Sequence, residues 1–108
     1  MRPRENKDEA FLDDIREACA LILSRTKNTR LPDFVSDTTL QDSVVLRLAV
    51  IGEASKNLTD AARRRYPNVR WRDMMRLRDL LVHRYWSVDP MKVWNIVKED
   101  VPLLLETL

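Results

Sequence analysis

A chain of 108 residues, 44% apolar and 33% charged, has room for one domain with a modest hydrophobic core and is too apolar for long disorder. Its single glycine excludes phosphate-cradling and dinucleotide-binding glycine loops, and its single cysteine excludes an intramolecular disulfide. The net charge of +2 selects no partner; no apolar run reaches the length of a membrane span, and residues 1–9 are charged, unlike a signal peptide, so a reducing cytoplasm is the expected compartment.

Leu, Ala, Arg, Glu, Asp and Lys dominate, and strand-forming and hairpin residues are sparse, which predicts an all-α fold. A first helix is expected over residues 8–26, where Phe11, Ile15, Ala18, Cys19, Ile22 and Leu23 recur at helical spacing. Cys19 falls on that stripe and should be a buried free thiol. Residues 27–36, with Pro32, read as a connection. A second helix follows to Leu58, with Ser36, Asp37 and Thr38 as candidate caps. Gly52 lies inside it at a cost of about 1 kcal/mol against Ala, which predicts that another helix comes close there.

Thr59 should cap a short helix over residues 60–65, ended by Pro67. A fourth helix starts near Trp71 and runs towards His83. Asp89 and Pro90 together signal the start of the last helix, in which Pro102 should place a kink or split off the final turn. The expected architecture is a single-domain bundle of four to five helices spanning residues 1–108. Its wide apolar faces, together with Trp71, Trp86 and Trp94, predict further burial in a symmetric dimer, with the tryptophans in core or dimer contacts.

Charge is unevenly distributed. Residues 63–84 carry eight arginines against two acids, whereas both flanking segments are slightly acidic. Guanidinium groups match phosphate geometry through paired donors, so this run is a candidate nucleic-acid surface, with a solvated helix face as the alternative. Arg72, Arg76 and Arg84 are its candidate RNA contacts.

The run ends in a cluster around the only histidine, His83, with Arg78, Asp79, Arg84 and Tyr85 beside it. One His and one Cys make a poor transition-metal site, so no metal or other cofactor is implied. Asp79 and His83, four apart, share a helical face, and the carboxylate could hold the imidazole in one tautomer. Arg78 and His83 lie about 140° apart around an ideal helix. They converge only if the helix frays near His83 or if they come from different subunits. A groove across a dimer axis would hold two histidines and an arginine: a base for a 2′-hydroxyl, an acid for the leaving oxygen and a cation for the phosphorane. DNA lacks the 2′-hydroxyl, so RNA is the expected substrate.

Arg78, four residues, His83, one residue and Tyr85 resemble the Arg-x4-His-x-Tyr signature of the HepT-like toxins of the HEPN superfamily. Asp79 stands where Asn is common in that pattern. Residues 51–58 are similar to the family's second-helix segment, and the spacing to Pro67, Trp71-Arg72-Asp73 and Val88-Asp89 also fits, so the likeness covers residues 40–105. It implies an all-α homodimer with metal-independent endoribonuclease activity, Arg78 and His83 as the catalytic pair and Asp79 in support. It further implies a toxin–antitoxin system in which an MntA-type nucleotidyltransferase antitoxin transfers AMP to Tyr85; the added phosphate would repel RNA from a cationic cleft. The rival reading is a non-catalytic nucleotide- or RNA-binding module that accompanies such a transferase. Glu53 and Lys56 are possible polar contacts of the cleft or dimer, in a segment that otherwise reads as packing.

Overall fold

The computed structural model describes residues 5–108, without the side chains of Glu5, Asn6 and Tyr85; residues 1–4 of the charged N-terminal segment lie outside it. Every regular element among the described residues is helical. They are α1 (Glu5–Thr26), α2 (Leu31–Ser36), α3 (Thr38–Asn57), α4 (Asp60–Arg64) and α5 (Trp71–His83), then a 3-10 turn (Tyr85–Ser87), α6 (Pro90–Asn95), a π-helical turn (Ile96–Asp100) and α7 (Val101–Thr107). The long helices α1, α3 and α5, with the broken C-terminal helix, make the expected bundle.

The core is one cluster built from the predicted stripes. Leu12, Ile15, Ala18, Cys19 and Ile22 of α1 meet Val44, Leu48, Ile51, Ala54 and Leu58 from α3 and its end, closed by Leu81, Val93, Val97, Val101 and Leu104. Burial pushes the Cys19 thiol up to about 11. Pairs at both ends show that α1 and α3 run antiparallel. Asp8 is buried and accepts from the Thr59 amide (2.9 Å) and hydroxyl (2.6 Å), while Arg25 Nη1 donates to Ser43 Oγ at 2.8 Å.

Start signals behave as their chemistry requires. Asp37 Oδ1 accepts from the Leu40 amide, Thr59 Oγ1 from the Ala62 amide and Asp89 Oδ1 from the Met91 amide, so α3, α4 and α6 are each capped by a side chain. One feature departs from the sequence reading. Residues 31–36 form helix α2 instead of open connection: Pro32 sits in its first turn, where no amide is needed, and fully buried Phe34 anchors it with its ring 5.1 Å from that of Trp94. Pro102 follows its expectation and stands in the first turn of a separate final helix, α7. Its missing N–H is accommodated by the π-helical turn just before it, where the Val101 amide reaches back to the Ile96 carbonyl.

Gly52 is where the close approach was expected. A Cβ built on it would collide with Cβ of Arg78 and lie 2.7 Å from the Met74 carbonyl oxygen. The absent side chain lets α5 lie directly on α3, and α5 carries the candidate site.

Candidate active site

Helix α5 is fixed at its start by Trp71, which is buried and whose indole N–H is shared between the carbonyls of Arg63 (3.1 Å) and Tyr66 (3.2 Å). Trp71 and Leu81 are buried, and Met74 and Leu77 are partly buried against the core. At 100° per residue these four positions define one inner face. The same arithmetic places Arg72, Arg76, Asp79 and His83 within about 60° of one another on the opposite side, and all four are exposed. An exposed stripe of two arginines, an aspartate and a histidine therefore runs the length of the helix, about 16 Å at the standard rise.

Arg78 is not on that stripe. Its stem passes over Gly52 and its guanidinium emerges at the α3–α5 edge, with the side chain 24% exposed. There Nε pairs with Glu53 Oε2 at 2.9 Å and Nη1 with Asp79 Oδ1 at 3.0 Å. Glu53, one of the polar side chains singled out in its segment, thus holds the arginine from α3, while its neighbours Ile51, Ala54, Ser55 and Leu58 are buried packing residues. Both carboxylates are about half exposed, so these pairs orient the guanidinium more than they stabilise the fold.

Asp79 does not take the role that its spacing suggested. Its carboxylate accepts from Arg78, and no hydrogen bond links it to His83 among the described residues. The expected possibility of fraying is also absent. The α-helix persists through His83, and the Arg84 amide still bonds the Leu80 carbonyl at 2.8 Å. Arg78 and His83 consequently point about 140° apart on one helix, and one protomer does not bring them onto one face.

Past the helix, exposed Arg84 forms the cap, and its carbonyl accepts from both the amide (2.9 Å) and the hydroxyl (2.8 Å) of Ser87, closing the 3-10 turn. The backbone of Tyr85 lies in this turn; its side chain, the expected site of modification, lies outside the described residues. The turn also carries Trp86, which lies outside the core of the single chain. Trp86 is 79% exposed, whereas Trp71 and Trp94 are at 8%. The reading of the basic run had also passed over an open depression beside the N-terminal half of α5, bordered by Arg63, Arg64, Trp71 and Arg72. The triple arginine of residues 63–65 was the signal that could have marked it.

The all-helical bundle thus presents a partly buried arginine held by two carboxylates and, five residues on, an exposed histidine, on a helix with two further exposed arginines that could meet an anion. Comparison with known proteins places it more closely. The family model described as ribonuclease HepT-like matches residues 15–108, reaching beyond the motif region into α1. A Thermococcus cleftensis protein named "Probable ribonuclease HepT" is 44% identical over 94% of this chain and 90% of its own length. A Methanocaldococcus jannaschii protein named as a putative RNase is 38% identical over 87% of this chain and 86% of its own. The chain belongs to the ribonuclease HepT-like family of the HEPN superfamily. No solved structure gave a significant match. No helix among the described residues is long and apolar enough to cross a membrane.

Proposed function

We propose that two copies of this chain form a metal-independent endoribonuclease whose single-domain protomers share one cleft, and that it is the toxin of a toxin–antitoxin pair acting in the cytoplasm. The observation that carries the shared cleft is the unbroken α5. Arg78 and His83 diverge within a protomer, so a second copy is the simple way to surround one phosphate with both. In that cleft one neutral imidazole takes the proton of the 2′-hydroxyl as its oxygen attacks phosphorus. The other, protonated, imidazole gives a proton to the departing 5′-oxygen. The products are a 2′,3′-cyclic phosphate and a 5′-hydroxyl. Arg78 neutralises the phosphorane, positioned by Glu53 and Asp79. Arg72, Arg76 and Arg84 hold the strand on either side.

Family membership supports the RNA chemistry, since the relatives are named as ribonucleases. The control step follows the same reading. An MntA-type nucleotidyltransferase partner transfers AMP to Tyr85, and the added negative phosphate beside Arg84 shuts RNA out.

Cleavage of RNA in the presence of a chelator tests the activity, with Arg78→Ala and His83→Ala each expected to abolish it. Mixing wild type with His83→Ala tests the shared cleft. Every mixed dimer lacks one of the two imidazoles, so random pairing at equal amounts should leave about half the activity that the same wild type has unmixed. Undiminished activity would refute the sharing. RNA binding without any cleavage product would favour the non-catalytic binding module. Co-expression with the transferase should add one AMP to the intact mass, and Tyr85→Phe should prevent it.

A further inference from the structure

Among the described residues, Trp86 is the most exposed of the large apolar side chains. It is 79% exposed and, among the described residues, makes no ring stack, cation–π contact or hydrogen bond. The other two tryptophans show what this fold does with an indole that it needs. Trp94 packs on Phe34 and lies under Lys98 Nζ at 4.6 Å, while Trp71 is buried and hydrogen-bonded. Leaving an indole in water forfeits about 2 kcal/mol or more of burial, which a ligand stacked on it would recover.

Location identifies that ligand. Trp86 follows His83 by three residues, in a turn whose backbone is pinned by the two Ser87 bonds to the Arg84 carbonyl. The backbone that carries the ring is therefore preorganised, two residues after the exposed Arg84 and three after the end of the Arg72–Arg76–Asp79–His83 stripe. A flat aromatic face in a segment with exposed arginines is a combination that unpaired nucleic acid uses, with bases stacking and phosphates pairing. The exposed apolar residues of α5 do not form one patch with each other. Leu80 and Val82 fall on opposite flanks of α5, separated by the polar stripe.

We propose that Trp86 is a stacking platform for one unpaired nucleobase next to the scissile phosphate, and hence that the enzyme takes single-stranded RNA and is indifferent to duplex. This rests on the ribonuclease reading for its placement, but its test does not require cleavage. The affinities of a labelled single-stranded RNA and of a matching chain of abasic ribose phosphates are measured on the full chain carrying His83→Ala, with and without Trp86→Ala. Losing one base stack should weaken RNA binding about tenfold or more and leave the abasic chain unaffected, because the arginines hold only its phosphates. Trp86→Phe should keep most of the affinity. Unchanged RNA affinity in Trp86→Ala, or an equal loss for both ligands, would overturn the proposal. A fall in sedimentation mass accompanying the loss would also overturn it and make Trp86 a subunit contact. If the wild type cleaves no RNA while the binding pattern holds, the ribonuclease reading fails and the platform stands.

Discussion

Replacing Gly52 with alanine separates two opposing effects of known size. Inside a helix, Ala is better than Gly by about 1 kcal/mol, so propensity alone predicts a more stable protein. Against this, the new methyl would overlap Arg78 Cβ and sit 2.7 Å from the Met74 carbonyl oxygen. Ordinary contact needs about 3.5 Å, and both obstacles are fixed to the α5 backbone, so the helix itself must move outward by close to 1 Å. Overpacking of that kind costs about 1–3 kcal/mol. Because no flexible side-chain tip is available to yield, the upper end applies, for a net loss of about 1–2 kcal/mol. In a domain of this size that lowers Tm by several degrees. Denaturant unfolding monitored by helical circular dichroism gives the stability. RNA cleavage gives the second readout, because the shift also draws Arg78 away from Glu53. A Gly52→Ala protein about 1 kcal/mol more stable than wild type would refute the close packing of α5 on α3, and with it the account of how Arg78 is placed.

Asp8→Ala leaves the amide and hydroxyl of Thr59 without their acceptor and should cost about 2–3 kcal/mol in denaturant unfolding, with Asp8→Asn, which retains one acceptor oxygen, costing less. Cys19 is held protonated in the folded state up to about 11, against an ordinary value of 9.0. Its contribution to stability is therefore complete below pH 9 and lost as pH rises towards 11, by about 2–3 kcal/mol; Cys19→Ala should lack this part of the alkaline loss, read from unfolding curves at pH 8 to 11. Arg72→Ala and Arg76→Ala should each reduce the slope of log affinity against log salt for single-stranded RNA by about 0.7, whereas Asp73→Ala should not reduce it.

The helical fold was legible because apolar spacing and caps are local. The stripe from Phe11 to Leu23, the Asp37, Thr59 and Asp89 caps and the burial of Cys19 all depend on residues within a turn or two of one another. Helix α2 was missed because its formation depends on Phe34 finding Trp94, a contact across sixty residues that no local pattern encodes. Pro32 was ambiguous for the same reason: a first helical turn and a loop tolerate it equally. Likewise, Pro102 signalled an interruption, while packing decided that it would be a π-helical turn.

At the site, sequence alone determined the cluster of Arg78, Asp79, His83 and Tyr85, the 140° divergence of Arg78 from His83, and the need for a close neighbour at Gly52. Tertiary structure alone decided that the neighbour is Arg78 itself, that Glu53 and Asp79 hold its guanidinium, and that Trp86 is left in water while Trp71 and Trp94 are buried. Spacing along one helix fixes only directions. Which directions meet a partner, and which remain open, depends on the second helix laid against it.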